Sequence, residues 1–579
     1  MIRWMHKRLG SGAGDERGMA LVMVIAIGSV LTILVVAATA FALGGLKKAT
    51  TDGAWGSALA AAYAGIEEYQ SRLANDTAYY RYGNPASTFS TASRVTLPTG
   101  AAANAAFGVG TAGTWATVAG SGGASVFRYE VDNSNYVKTG TLRLRATGKV
   151  GKETRSIVAD LRQQGFVDFL YFTDYEIQDP VQTGVSVDTC QRYAWAGRPA
   201  TGCSDIAFGA NDVIDGPTHS NDTIRVCAAT FTGAVTTSYN PSSGLRYSPT
   251  NSNNVSCSGQ VFELPGYPAY SPVIGMPPTN SQMKKEVRTD IPADVPDPGC
   301  LYTGPTEIVF NASGTMTVRS PWTVKTRVSG DPATSGTTPA ECGSINALGS
   351  ATGATIAVPP NNLVYVQNVP TVSTDPNYWP SRNLPGGLQC RGEAASSGNG
   401  NGIGFPTTQE APPASDSYGC RNGDAFVKGT VRGAVTIASE NYIYVTGDVV
   451  YNDPATDILG LVGNNSVWVW NPVKSNGDSI LANNGRRIDA AIVSVAHTFQ
   501  VQNYSKGGSR GTLTVNGAIA QKFRGIVRSG TNGYTKHYVF DSRFRYIAPP
   551  KFISPVSTTY GVNVWIEVKP VFTSSGALQ

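Results

Sequence analysis

At 579 residues the chain has room for two or more domains, and its formal net charge is only +5, with 15% charged residues. That is too small and too dispersed an excess for the clustered basic patch that binding a phosphate backbone requires, so nucleic acid is not an expected partner. The 65 glycines and 34 prolines are about one residue in six, well short of the roughly 25–30% that marks low complexity, so the body is expected to fold, with many turns.

The first element is the run Met19 to Leu46, which contains no ionisable side chain. As a helix rising about 1.5 Å per residue it measures roughly 40 Å, enough to cross a hydrocarbon core of about 30 Å. Ahead of it, residues 1–18 form a leader with Arg3, Lys7, Arg8 and Arg17 against Asp15 and Glu16, ending in Gly18. An ordinary secretory signal has an apolar region of about 7–15 residues, roughly half this length. Ala38-Thr39-Ala40 nevertheless offers a small-residue cleavage site, which keeps a long signal peptide or a signal anchor as alternatives.

After Lys47 and Lys48, apolar or small residues recur at helical spacing at Trp55, Leu59, Ala62, Ile66, Tyr69 and Leu73. One continuous helix of about fifty residues is therefore expected, half in lipid and half lying on a sheet. Asn75-Asp76 and Gly83-Asn84-Pro85 end it. Residues 84–125 are small and polar and read as a variable loop. Within them Gly108-Val109-Gly110-Thr111-Ala112-Gly113 matches the dinucleotide pattern G-x-G-x-x-G. It lacks the strand–turn–helix context that would make it a site, and no cofactor is expected. Strand patterns follow at Val126 to Val131, Thr141 to Lys149 and Glu153 to Leu161, the last two flanking a tight turn at Gly148–Lys152. An antiparallel meander and the helix would bury each other's apolar faces, which makes them one module.

From Gly165 the character changes. All eight cysteines (Cys190, Cys203, Cys227, Cys257, Cys300, Cys342, Cys390 and Cys420) lie in the stretch 164–425, with no C-x-x-C and no histidine at metal-ligand spacing. An even number confined to the exported part reads as disulfides. Spacing does not fix connectivity; the sequential pairing 190–203, 227–257, 300–342, 390–420 ties one local loop per bridge and is the expectation. The last of these loops, GEAASSGNGNGIGFPTTQEAPPASDSYG, is expected to bury little.

Residues 426–579 are repetitive. Short runs at Ala434–Ile437, Tyr442–Val445, Val449–Tyr451, Ile458–Val462, Val467–Trp470, Ala490–Val495, Phe499–Val501 and Leu513–Ile519 alternate with Gly, Asn and Asp turns. That spacing suits a coiled stack of short strands, a β-solenoid, with a sandwich of hairpins as the alternative.

Chemistry is not marked. His219, His497 and His537 are far apart in sequence, and neither H-E-x-x-H nor a Walker A loop occurs. The densest polar cluster, Gly216 to Asp222, reads as a hydrogen-bonding turn. Asp424, Asp448, Asp453, Asp457, Asp489 and Asp541 supply carboxylates, but nothing pairs two of them as glycoside cleavage requires. Trp468 and Trp470 offer rings for stacking on sugar. No enzyme and no metal site is expected.

Asp15-Glu16-Arg17-Gly18-Met19-Ala20-Leu21-Val22, a charged leader with a glycine and then at once an apolar helix, resembles the type III signal of type IV prepilins. The resemblance implies cleavage between Gly18 and Met19 by a prepilin peptidase, with the leader cytoplasmic. Together with the meander it extends over residues 15–163. It implies an α+β pilin-like module (residues 19–163, the membrane helix being 19–46) ahead of a mostly-β, solenoid-like extracellular body. Stretches 299–320 and 515–546 look like large actinobacterial pilus-associated surface proteins. Major pilins carry a glutamate five residues into the mature chain, where it pairs with a neighbour's N-terminal amine; here that position is Met23. The resemblance therefore implies a minor or tip subunit that works with other pilin-like subunits. The competing expectation is a signal-anchored surface protein that binds or cleaves carbohydrate, with a surface glycan as partner.

Overall fold

The computed structural model describes residues 19–100, 103–109, 113–134, 136, 141–163, 165–210, 212–380, 383–386, 388, 400–411, 417–482, 484–555 and 560–579. A single helix runs Met19–Asn75, 57 residues and about 85 Å at helical rise. Its first half touches nothing: none of its most apolar stretch is buried. Its second half buries Ala58, Ala61, Ala62, Ile66, Tyr69 and Leu73 against a sheet. The expected face is thus right from Ala62 onward but shifted at its start. Trp55 is 49% exposed and Leu59 half-buried, because the small side chains of Ala58 and Ala61 let the sheet come closest there. The Trp55 ring lies against the Arg155 guanidinium, 3.6 Å away.

The sheet has five antiparallel strands in the order Ala116–Thr117, Ser125–Asp132, Thr141–Val150, Glu153–Gln163 and Tyr560–Val568. The three meander strands match the sequence expectation to within two residues at each end. The fifth strand does not: the sequence places 560–579 in the repetitive region, yet Tyr560–Val568 pairs with Glu153–Gln163. The residues after it continue across the module. Thr154 donates to Phe572 O at 2.8 Å, Lys149 to Ser574 O at 3.1 Å, and Arg128 is held between the rings of Trp115 and Phe572. The body is therefore inserted within the helix-and-sheet module.

The body is strand-rich and built mainly on parallel pairings, although Thr315–Arg319 pairs antiparallel with both Thr306–Asn311 and Ala354–Ala357. One ladder runs, strand beside strand, through Ala269–Tyr270, Val235–Thr237, Thr218–Ser220, Tyr171–Tyr175, Ser509–Phe523, Arg486–Ser494, Ile458–Gly463, Ala434–Ser439, Asn362–Gln367 and Cys300–Thr303. A second joins Thr306–Asn311, Ala425–Val431, Tyr442–Tyr451, Ser466–Val469 and Phe499–Val501. A third joins Val261–Phe262, Thr230–Phe231, Val213–Asp215, Asn532–Phe540 and Ser509–Phe523, then continues through Arg486–Ser494 to Tyr442–Tyr451.

The order in space is not the order in sequence. The chain enters the first ladder at Tyr171–Tyr175, moves outward to Ala269–Tyr270, crosses to the far end at Cys300–Thr303, and works back until Ser509–Phe523 lies beside its own starting strand. The crossing segment is pinned by Asn280, fully buried, which donates to Ser439 O (2.8 Å) and Val462 O (3.2 Å).

Parallel strands bury both faces, and the period of two separates the two packing layers. Val364 and Val366 join the main core, whereas Leu363 and Tyr365 join a second layer with Met283 and Val287 of the crossing segment. A third apolar cluster corrects the expectation for the loop before Cys420. Ile403, Phe405 and Tyr418 are buried over the ring column Phe426–Tyr444–Trp468, so this glycine-rich stretch does contribute a core.

Candidate functional site

The feature that dominates the surface is the free half of the N-terminal helix. Met23 is 68% exposed among equally exposed Leu, Val and Ile neighbours, and the first acidic residue on the helix is Asp52. Thr32 donates its hydroxyl to Gly28 O (2.7 Å), so its polar atom is satisfied within the helix. The helix is long and apolar enough to cross a membrane, and among the described residues it is the one such helix. Met19 is the first described residue; Gly18 lies outside the described residues.

In the body, three expected disulfides form: Cys190–Cys203, Cys227–Cys257 and Cys300–Cys342. Cys420 is also disulfide-bonded; its expected partner Cys390 lies outside the described residues.

The polar run Gly216 to Asp222 is more than a turn. Thr218–Ser220 is a buried rung of the first ladder, and Asn221 and Asp222 are fully buried behind it. Asp222 accepts from the backbone N–H of Ala194 (2.7 Å), Thr223 (2.8 Å) and Glu176 (3.1 Å), and pairs with Arg198. Arg198 also reaches Asp205 at 2.6 Å. Asn221 donates to Asp174 at 2.9 Å and to Ile274 O at 2.7 Å. These contacts fix the loop closed by Cys190–Cys203, which carries Tyr193 and Trp195. What marked the cluster in sequence was its density of polar residues; the loop it holds was not legible. His219 stacks on Phe172 (5.6 Å, 20°), with Nδ1 at 2.9 Å from Thr236 Oγ1 and Nε2 at 3.0 Å from Asn221 Oδ1. Burial pushes it down to about 4, so near neutral pH it is an uncharged hydrogen-bonding rung.

A second set of ion pairs, buried at Arg524 and Glu176 and half-buried at Lys536, Asp212 and His497, crosses from the first arm of the body to the last. Arg524 pairs with Glu176 at 2.9 Å, Lys536 with Asp212 at 3.0 Å, and His497 approaches Asp179 at 2.8 Å. Burial lowers the Lys536 ammonium.

The aspartates singled out in sequence are each engaged locally. Asp424 accepts from Asn441, Asp457 from Gly433 N, and Asp489 from Tyr451 N. Asp453 accepts from Ala455 N, while Asp448 and Asp541 meet Arg486 and Arg543. Trp468 and Trp470 are buried, which removes them as sugar platforms: their strand is covered on both faces. Gly108 caps a short turn of helix in the left-handed region; residues 110–112 of the G-x-G-x-x-G match lie outside the described residues. Among the described residues no cluster of metal-ligating side chains occurs.

No family model matches the chain, and no curated protein matches it. Among solved structures, the competence-associated pilin ComZ from Thermus thermophilus aligns over 88% of this chain and 96% of its own length, at 9% identity and a TM-score of 0.20. At that score a shared fold is not established.

Proposed function

We propose that this chain is a pilin-like, membrane-inserted subunit of a type IV pilus-like or related assembly. Its role is structural and adhesive rather than catalytic, and it enters as a minor or tip component. The observation that carries this reading is the division of one helix: the first half is apolar and unburied, and the second half is packed on an antiparallel sheet of its own module. That is the arrangement needed to hold a subunit in a bilayer first and among neighbouring helices afterwards. Prepilin peptidase cleaves after Gly18, the leader faces the cytoplasm and the body lies outside. The three parallel ladders support reading the body as a β-solenoid.

Met23 supports the minor role. An N-terminal ammonium buried among helices carries a heavy desolvation cost unless a carboxylate meets it, and this helix supplies none near its start. N-terminal sequencing of protein from its host tests the processing: Met19 is the expected first residue, and Gly18→Ala blocks cleavage. Phe41 as the first residue makes the apolar run a removed signal peptide and ends the pilin-like reading. Electron microscopy of the processed protein alone is expected to show no long fibres; homopolymers exclude the minor or tip role.

A further inference from the structure

We propose that the loop closed by Cys190–Cys203 is a carbohydrate-binding platform on which a β-linked pyranose chain seats a ring face on the indole of Trp195. Trp195 is 42% exposed, yet it is fixed. Its Nε1 donates inward to Asn221 O at 2.9 Å, so the indole's one polar atom is already used and what remains outward is ring surface. Beneath it the rings of Tyr193, Tyr175 and Phe523 follow in one stack, with centroid spacings of 5.0, 5.0 and 5.5 Å and interplanar angles of 17°, 20° and 29°. A near-parallel stack of four rings holds the outermost one in a single orientation. A surface whose conformational entropy has been removed beforehand loses less on binding.

The mount is built from buried charge: Asp222 takes the Ala194 N–H and pairs with Arg198, and the disulfide closes the loop behind them. A carboxylate stands beside the ring stack. Asp174 uses Oδ1 for the Tyr193 hydroxyl (2.8 Å) and Asn221 Nδ2 (2.9 Å), while its Oδ2 takes no hydrogen bond from the described residues. A sugar hydroxyl at the edge of the platform donates to that oxygen. β-linked, gluco-configured rings carry their hydroxyls at the equator, which leaves both faces apolar and matches a flat ring with a polar group beside it.

Within the loop closed by Cys190–Cys203, Trp195 is the one exposed large apolar side chain among the described residues. The other exposed tryptophans among the described residues lie on the helix-and-sheet module. Trp55 is against Arg155, and Trp565 packs on Tyr63 at 4.8 Å. This inference does not depend on assembly into a filament.

The test is cosedimentation of the full processed chain, in detergent micelles, with microcrystalline cellulose, chitin and purified peptidoglycan sacculi, using α-linked starch granules as control. Retention is expected on at least one of the three β-linked polymers and not on starch. Trp195→Ala should weaken it by about tenfold or more, Asp174→Asn by a smaller factor, and Trp195→Phe, which keeps a ring, by less than about threefold. Trp565→Ala should leave it unchanged. An unchanged melting temperature and the absence of free thiols certify the fold of each variant. No retention on any β-linked polymer, or equal retention of parent and Trp195→Ala, overturns the proposal. Should Trp195→Ala fail to fold, Trp195→Phe and Asp174→Asn decide: full retention in Asp174→Asn together with loss in Trp195→Phe also overturns it.

Discussion

His219 is where one side chain sets a response of the whole chain. Fully buried between Phe172 and its polar partners, it has a proton affinity pushed down to about 4 by desolvation, against about 6.5 in an unfolded chain. The unfolded state therefore binds the extra proton between those two values and the folded state does not. The stability this provides is fully present above about pH 6.5 and is lost as pH falls through about 4, at most roughly 3 kcal/mol over the window. Asp174, joined to His219 through Asn221, works in the opposite sense, since burial raises its carboxyl and its ionisation disfavours the fold. Melting temperatures of the solubilised protein between pH 4 and 7 are expected to rise with pH, and His219→Gln should flatten that rise. A parent protein whose melting temperature falls over this range shows instead that Asp174 and its like dominate.

The helix and its sheet meet through Gly148. A Cβ there would stand 2.1 Å from Ala58 O and 2.3 Å from Ala62 N, inside the backbone of the helix where nothing can yield. Gly148→Ala should cost about 3 kcal/mol or more, at the upper end of overpacking penalties. Gly53→Ala, in the same helix with nothing within 4 Å, should gain up to about 1 kcal/mol of helix propensity. Thermal melts of the two variants compare them, and equal stability would show that helix and sheet are not packed as described.

The elements of this module were legible because each is encoded locally: helical spacing through Ile66, Tyr69 and Leu73, alternation through Leu142, Leu144 and Ala146, and a tight turn at Gly151. Even so, Ala58 rather than Trp55 starts the buried face, since contact there is decided by the bareness of Gly148 across the gap. The strand Tyr560–Val568 was not legible as a partner of Glu153–Gln163, because nothing within nine residues encodes a neighbour some four hundred positions away. Nor was Trp195 separable from Trp468 and Trp470. In parallel ladders both faces of a strand are covered, so alternation no longer tells inside from outside.

At the scale of the molecule, the body closes on itself. Its two arms meet where Ser509–Phe523 lies beside Tyr171–Tyr175, and the join is held by Arg524–Glu176 and Lys536–Asp212, pairs between parts far apart in sequence. Arg524 is doubly fixed, its guanidinium lying 3.7 Å from the Phe208 ring and donating to Ile206 O. Removing one partner of a buried pair leaves an uncompensated charge and typically costs about 3–5 kcal/mol. Glu176→Gln should therefore destabilise the body by that order in denaturant melts, and the double variant Glu176→Leu with Arg524→Met should recover most of the loss. A Glu176→Gln chain as stable as the parent shows that the join is held by its backbone ladder alone.

The insertion of the body between Glu153–Gln163 and Tyr560–Val568 also sets a timetable. Synthesis from the N-terminus delivers the helix and meander first, and they wait with an unpaired edge while nearly four hundred residues follow. Unpaired edges invite foreign strands, so Tyr560–Val568 acts as a seal on Glu153–Gln163: a chain cut short of it leaves that edge open. A chain ending at residue 555 is expected to reach the membrane but to lose hydrogen-exchange protection along 153–163 and to be cleared by proteases, whereas adding a peptide of residues 556–579 in trans should restore protection there.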